Sequence, residues 1–593
     1  MNAPVSDRFG RRPLQIVEID EDFCPLIYGE APCSAELGVT GVRKCYNRFR
    51  SCQSVSSYER GTLTLRFAKP QSGLPKGMTV FPALVSVSTN PTSLNVGGSD
   101  KSRGPLGRRA TVTVKLKDFS YHDRYTDKYA RERVTGEAQI DEPGYNPAKR
   151  GTFFGKYRKR NPYYQGRAMR VREGYEGQLI EEMRTRHYVI TKFVGPNSSG
   201  EVTFEAKDVL DLADNERAVA PRPGSGALDR EIDEQATSFN LLPEGVGAEY
   251  PVAGRAVIGS EMVEYSRSGD AITLTARGVR TEVASHDEGD TFQPVLTFHL
   301  ARIDEVIKTL LIDYAGISPE FIPDDEWQEE AETWLNSFQL TRDITEPTGV
   351  TSLIGELSEL GPYIWWDELA QKIRLRANRP PGAGAVPLLS DGRDIVKEST
   401  EATDRPDERI TQVWIYYGQI DPTGSVDDAA NYRRLRVTPD LAAQSPEQYG
   451  DTRIKRIFTP WMTGGNEGEV LAISNRLLAR YRDTPRRISL KTDAKDRGLW
   501  TGDVADLLTR IDEDETGRPE ANRWQVISAE EVEPGHRVKF VFQSFEFVGR
   551  YAFFTPDDYP DYGSADPSQR NFGAWFAPSG DGFPDGTEAY QFI

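Results

Sequence analysis

Short segments in which apolar and polar residues alternate recur through this chain, and that alternation limits what it can fold into. "GTLTLRF" (Gly61–Phe67), "ATVTVKLKDF" (Ala110–Phe119), "HYVITKFVG" (His187–Gly195), "GEVTFEAKDVL" (Gly200–Leu210) and "DAITLTARGV" (Asp270–Val279) each place every second side chain on one face. Gly, Pro, Ser or Asp bounds each of them. A period of two belongs to a strand with one buried face. "FVGPNSSGEVTF" reads as a hairpin with Pro196 to Gly200 as its loop. The pattern returns late in the chain in "RRISLKTD", "LWTGDVADLL", "RWQVISAEEVEP" and "HRVKFVFQSFEF". A supply of 25 Tyr, 26 Phe and 9 Trp beside 52 Gly and 38 Pro suits strands and turns rather than a helical bundle.

Helical spacing is confined to a few places. "RIDEVIKTLLIDYAG" sets Ile303, Val306, Ile307, Leu310, Leu311 and Tyr314 on one face, with Gly316 as its stop. "TGVTSLIGELSELG" repeats this with Val350, Leu353, Ile354, Leu357 and Leu360, and "EGEVLAISNRLLARYRD" gives a third helix. "YIWWDELAQKIRLRA" reads instead as two strands turning over Asp367 to Gln371. The fold class is therefore mainly β with an α+β middle: several barrel or sandwich domains with short helices. Composition breaks fall near 93–109, 218–229 and 378–392, and the pattern dissolves after about Val548. The chain therefore divides into a four-cysteine segment at 1–60, a first β domain, barrel or sandwich, at 61–227, a small β-rich domain at 228–300, an α+β domain at 301–380, a second such β domain at 381–548 and an extended tail at 549–593. The tail has little periodicity but many aromatics, which predicts that it lies along a neighbouring surface.

At 593 residues the chain is long enough for about four domains, so it needs no disulfides to make up for a missing core. It nevertheless gathers all its cysteines, Cys24, Cys33, Cys45 and Cys52, into one short stretch. The gaps of eight, eleven and six residues contain neither the knuckle of a zinc finger nor the ferredoxin run, so spacing names no metal. Four thiols are still a complete tetrahedral set of soft ligands, which select zinc or an iron–sulfur cluster. Arg43, Lys44, Arg48 and Arg50 flank the second pair, where positive charge favours thiolates. Two disulfides or four buried thiols are the other readings. The first residues carry no apolar signal core and no run is long enough to span a bilayer, which predicts assembly in a reducing cytoplasm without a membrane anchor.

The formal net charge of −18 repels nucleic acid over most of the surface. The exception is "GTFFGKYRKRNPYYQGRAMRVREGY" (Gly151–Tyr175), where Lys156, Arg158, Lys159 and Arg160 alternate with Phe153, Phe154, Tyr157, Tyr163 and Tyr164 in the manner of a single-strand groove. Its plainer reading is a loop that packs on an acidic partner or a neighbouring subunit, the long stems of Arg and Lys covering apolar surface. Signs of catalysis are few. His122, His187, His286, His299 and His536 stand apart, and no nucleophile elbow or phosphate loop occurs. The acidic stretches "IDEDETG", "IPDDEWQEEAE" and "SGDGFPDGTE" read as solvated turns or helix N-terminal charge, and as calcium loops they lack the ligand register. A polysaccharide hydrolase using two of these carboxylates is the alternative function.

"CPLIYGEAPCSA", "KCYNRFRSCQ" and "TLTLRFAK" together resemble the N-terminal region of the baseplate hub, or tail-tip, proteins of long-tailed bacteriophages and gene-transfer agents. The segments "FFGKYRKRNPYYQGRAMRVREG", "GSEMVEYSRSGDAITLTARGVRTEVASHDEGD", "WWDELAQKIRLRANRP" and "RRISLKTDAKDRGLWTGDV" extend the likeness over most of residues 20 to 548, and the tail lies outside it. The resemblance implies that Cys24, Cys33, Cys45 and Cys52 hold a [4Fe–4S] cluster, with zinc as the alternative. It implies a structural virion protein rather than an enzyme. Such a protein is a homotrimer whose paired barrels form a pseudo-sixfold ring between the tail tube and the threefold tip. The implied partners are the distal tail protein, the C-terminus of the tape measure protein and the central fibre or other tail-tip proteins. DNA would pass through the acidic channel without specific binding.

Overall fold

The computed structural model describes residues 12–545, apart from 37, 42–44, 72, 76, 97–103, 105, 122–150, 336–337, 382–384, 494–497 and 534–535, together with 563–566. The chain is mainly β, as its alternation requires, with several sheets and one small closed barrel.

An N-terminal antiparallel sheet of seven strands runs, in spatial order, 61–68, 13–23, 168–175, 184–194, 201–207, 111–117 and 84–90. Thr111–Lys117 and Glu201–Lys207 show the alternation directly, burying every second residue. The two ends of the sheet approach each other. Phe81 donates its N–H to the Arg66 carbonyl at 2.8 Å and accepts from Ala68 at 2.9 Å, and the chain then enters the opposite edge strand. The helix Phe153–Arg160 fills the interior of the curled sheet, burying Phe153, Phe154 and Tyr157 among Phe67, Phe193 and Phe204. Thr152 caps it, its hydroxyl accepting from the Gly155 N–H at 3.2 Å.

The closed barrel has six strands between Gly226 and Pro294, around Phe239, Ile258, Val263, Tyr265 and Phe292. Beyond it, Leu296–Arg302 pairs with Gln339–Ile344 and Pro362–Asp367 with Lys372–Ala377, the second hairpin turning over the residues that the sequence indicates. The predicted helices are present as Ile303–Thr309 running into a π-helical turn at Leu310–Tyr314, Val350–Ser358 and Glu467–Tyr481. Of the two readings of "IPDDEWQEEAE", helix N-terminal charge is the one present: Asp324, Asp325 and Glu326 occupy the first turn of the helix Asp324–Trp334, which is anchored by Trp327, whose Nε1 donates to the Ile373 carbonyl at 2.8 Å.

A C-terminal sheet of six strands has the order 388–390, 504–513, 519–533, 537–544, 486–493 and 401–404. It curls as the first one does, because the segment after Leu388–Ser390 crosses to the far side, where the Val396 N–H meets the Lys491 carbonyl at 2.8 Å. Between 404 and 486 the chain leaves this sheet to form a three-stranded one, Tyr432–Pro439, Gln412–Gln419 and Ile454–Thr459 in order, backed by the helix Glu467–Tyr481. Val413, Ile415, Ile457 and Ile473 join Val306, Leu353 and Trp366 in one core, so the stretch 381–548 contributes to two cores. The N-terminal and C-terminal sheets meet where the Leu94 N–H bonds the Ile527 carbonyl at 2.9 Å and the Ser528 hydroxyl bonds the Thr92 carbonyl at 2.8 Å. Among the described residues no helix is long and apolar enough to cross a membrane.

Candidate metal centre

The strand Pro13–Phe23 ends one residue before Cys24, and its partner Gly61–Ala68 begins opposite Phe23. Residues 24–60 are therefore one long connection between two paired neighbours, and loops of that length without regular structure need a reason to be ordered. Much of the order comes from Asn47. It is buried with φ 57°, a left-handed conformation that Asn tolerates better than most residues. From there its Nδ2 donates to the carbonyls of Cys24 at 2.7 Å and Leu26 at 3.0 Å, while its own carbonyl accepts from the Cys24 N–H at 2.9 Å. One residue thus ties the first cysteine to the turn carrying the third. Tight backbone turns hold two more, with Cys33 N–H to Glu30 at 2.8 Å and Cys52 N–H to Phe49 at 3.1 Å. Ser34, Ser54 and Ser57 share hydroxyl hydrogen bonds of 2.6–3.1 Å, and the Tyr28 hydroxyl donates to Gln53 at 2.7 Å.

All four cysteines line one cavity of about 20 Å³, about the room of a single water molecule, walled by Leu26, Tyr28, Ala35, Asn47 and Tyr58. No disulfide joins them. The Cys45 sulfur accepts the Asn47 N–H at 3.4 Å, and the Cys52 thiol donates to the Ser54 carbonyl at 3.1 Å. Burial, together with the neighbouring Cys24 and Cys33 sulfurs, raises the Cys52 thiol above its ordinary value. Crowding sulfurs in this way opposes a set of bare thiolates, and a bound cation would relieve it. Among the described residues no His, Asp or Glu lines the cavity, so the metal-ligating side chains on its wall are the four cysteines, which fit a soft metal or cluster by type. Among the described residues no three His, Cys, Asp or Glu side chains stand as a single-ion site.

Of the four basic residues expected around the second cysteine pair, Arg43 and Lys44 lie outside the described residues. Arg48 does reach the cavity wall, but its charge is engaged elsewhere: it pairs with buried Glu21, bonds Asn161 Oδ1 at 2.5 Å and lies 5.3 Å over the Phe23 ring. Burial raises the Glu21 carboxyl and the Arg48 guanidinium opposes that rise. The cysteine loop is thereby fastened to the end of the helix Phe153–Arg160, and Arg160 adds a stack 4.1 Å over Tyr46.

That contact involves the basic aromatic stretch. Phe153, Phe154 and Tyr157 belong to the core and offer no platform to a base, whereas Tyr163 is 61% exposed. The arginines that follow meet acidic residues of the same chain: Arg167 pairs with Asp22, Arg170 with Asp20 at 2.6 Å and Glu18 at 2.8 Å, and Arg172 with Glu18 at 2.9 Å. The stretch is not the expected loop but a helix, Phe153–Arg160, and a strand, Ala168–Tyr175, and the acidic residues that its arginines meet lie on the strand Pro13–Phe23 of the same chain.

The remaining candidate chemistry is also engaged. His286 Nε2 sits 2.8 Å from buried Glu261; burial raises that carboxyl, but hydrogen bonds from Arg277 and His286 hold it down to about 2. Glu330 and Glu326 pair with Arg379 and Arg374, and Asp514 accepts backbone N–H groups from Thr516 and Arg518 as a turn does. His122 and "SGDGFPDGTE" fall outside the described residues. A buried charge cluster that the sequence does not advertise joins the two large sheets. Glu173 meets Arg186 at 2.8 Å, Arg184 stands 3.7 Å from Glu531, and Glu368 lies alongside, its carboxyl pushed up to about 7 by burial.

No protein-family model matches the chain, and no curated protein matches it. Among solved structures it is similar to the tail protein from Neisseria meningitidis MC58, at 10% identity over 77% of this chain and 91% of that one, with a TM-score of 0.34. The 43 kDa tail protein of prophage MuSo2 from Shewanella oneidensis gives 10% identity, 78% and 97% coverage and a TM-score of 0.33. A chain in the virion of a native gene transfer agent particle gives 12%, 49% and 84%, and 0.17. With identities and TM-scores this low, the site is read from its own residues.

Proposed function

We propose that this chain is a structural protein of a phage-type tail, the baseplate hub, and that Cys24, Cys33, Cys45 and Cys52 hold a [4Fe–4S] cluster in each subunit. The observation that carries the cofactor is the convergence of all four cysteines on one cavity that, among the described residues, no other metal-ligating side chain lines. The tail assignment rests on the sequence resemblance, and the two curled β-sheets beside an α+β core are compatible with it. The cluster acts as a staple. It ties four points of a long connection whose other restraints are hydrogen bonds, and binding energy spent there becomes folding energy. When bound it supplies four metal–sulfur links. Asn47 orients the first and third ligands, and Arg48 with Glu21 fixes the loop to the sheet.

In this reading three subunits form a ring that meets the distal tail protein on one side and the tip proteins on the other, and the acidic lumen lets DNA slide. Native mass spectrometry of the full chain, purified without oxygen, tests it. The expected result is a trimer carrying one cluster mass per subunit. A monomer without bound iron contradicts both parts, and a trimer carrying zinc retains the hub and removes the cluster. Release of reducing ends from host envelope polysaccharide by the pure chain would instead favour the hydrolase.

A further inference from the structure

The three-stranded sheet packs one face on the helix Glu467–Tyr481, and among the described residues its other face carries exposed apolar side chains. Register defines the second face row by row. Trp414 is flanked by Val437 and Arg456, and Tyr416 by Leu435 and Phe458. Paired residues share a side of a sheet, so these side chains point away from buried Val413, Ile415 and Ile457. The result is an apolar surface in which Leu435 is 45%, Val437 39% and Ile454 41% exposed. Tyr416 and Phe458 stack 4.5 Å apart at its centre, and Arg456 lies over Trp414 at 5.1 Å. Contiguous apolar surface rimmed by charge marks a contact site.

The chain itself contains a complementary segment. Residues 571–593, outside the described residues, carry three carboxylates, Asp581, Asp585 and Glu588, no Lys or Arg, and six aromatic rings, ending in Phe592 and Ile593. That is the opposite charge to Arg433 and Arg456, with rings to match the apolar rows. The exit point is favourable as well. Phe545, which follows the last strand of the C-terminal sheet, has its ring centre 4.8 Å from the Arg480 guanidinium, and the carbonyl of the next residue, Tyr481, accepts the N–H of Ile410, which leads into the strand Gln412–Gln419. Phe545 is thus near the end of the sheet where that strand starts. Ala565 is buried. From there 571–593 can extend about 75 Å, many times the width of three strands.

We propose that the outer face formed by Trp414, Tyr416, Leu435, Val437 and Phe458 is the docking surface for the chain's own C-terminal segment 571–593, from the same or a neighbouring subunit. Aromatic side chains of the segment lie on the apolar rows and its carboxylates meet Arg433 and Arg456. A photo-crosslinking amino acid at position 435 of the full chain, with a control at exposed Val85, tests this by mapping the crosslinked peptides. Crosslinks from 435 to 571–593, absent from 85 and reduced at least tenfold by R433E/R456E, are the expected result. Crosslinks only between the 432–439 strands of two copies, or to no part of 571–593, overturn the proposal. Hydrogen exchange guards against a misfolded variant. Strand 432–439 must be protected in the full chain and exposed when the chain stops after Arg570, and equal exchange in the two overturns the proposal too.

Discussion

At the scale of single residues, the ligands are legible in the sequence and their positioning is not. Four cysteines in one stretch of a long chain are conspicuous, whereas Asn47 looks like any turn asparagine until its φ of 57° and its two side-chain hydrogen bonds are known. Asn47→Ala deletes those bonds, leaves the carbonyls of buried Cys24 and half-buried Leu26 without that donor and places a Cβ-bearing aliphatic residue in the left-handed region. The expected loss is about 2–4 kcal/mol in chemical denaturation. Asn47→Gly keeps the backbone conformation and recovers part of that loss. Equal destabilisation by the two substitutions would show that the hydrogen bonds alone matter.

Among the elements, long alternating strands and helices with five or more apolar positions on one face are found where the sequence places them, whereas the short helix Phe153–Arg160 is not foreseen and Asp324–Trp334 is foreseen only as helix N-terminal charge. Phe153–Arg160 makes only about two turns, too few for a periodic signal, and its run of Lys and Arg draws attention from the buried Phe-Phe-x-x-Tyr face. In Asp324–Trp334 the acidic first turn is compatible with a helix start or a turn, and the buried side is little more than Trp327 and Ala331. Both helices are decided by tertiary packing. Phe154→Ala, at a fully buried position, should cost about 3–5 kcal/mol of stability, while Arg158→Ala should stay within about 0.5 kcal/mol. Single-stranded oligonucleotide titrations at low salt should show no binding that depends on Arg158 or Lys159. Affinity falling steeply with salt and lost in those variants would restore the groove reading.

Across the whole molecule, the β class and the α+β middle are legible, but the way the chain shares its cores is not. Alternation reports a buried face without saying which other segment buries it, so the departure of 410–481 from the C-terminal sheet leaves no local mark. The junction of the two large sheets is equally hidden, because Glu173, Arg186 and Glu531 lie on strands whose charged residues look solvated. Its pH behaviour follows from burial. The folded Glu368 carboxyl, at about 7, lies above the ordinary value near 4.5, with Arg186 lowering it and Asp208 raising it. The fold therefore holds that proton more tightly than the unfolded chain does. The resulting stability is complete below about pH 4.5 and is lost as pH rises towards 7. Glu368→Gln should flatten this part of the stability–pH curve and leave the variant the more stable at pH 8; an unchanged slope between pH 5 and 7 would place the proton elsewhere. Glu261, held down to about 2, acts in the opposite sense, its contribution present above about 4.5 and lost as pH falls towards 2.

The central claim is that the four thiols are ligands to an iron–sulfur cluster. Electron paramagnetic resonance of the full chain, purified without oxygen and reduced with dithionite, combined with iron and sulfide analysis, tests it most directly. The account predicts about four irons and four sulfides per chain and the signal of a reduced [4Fe–4S] centre, both abolished by Cys24→Ser. Colourless protein with no iron, whether it holds zinc or nothing in that cavity, would contradict it.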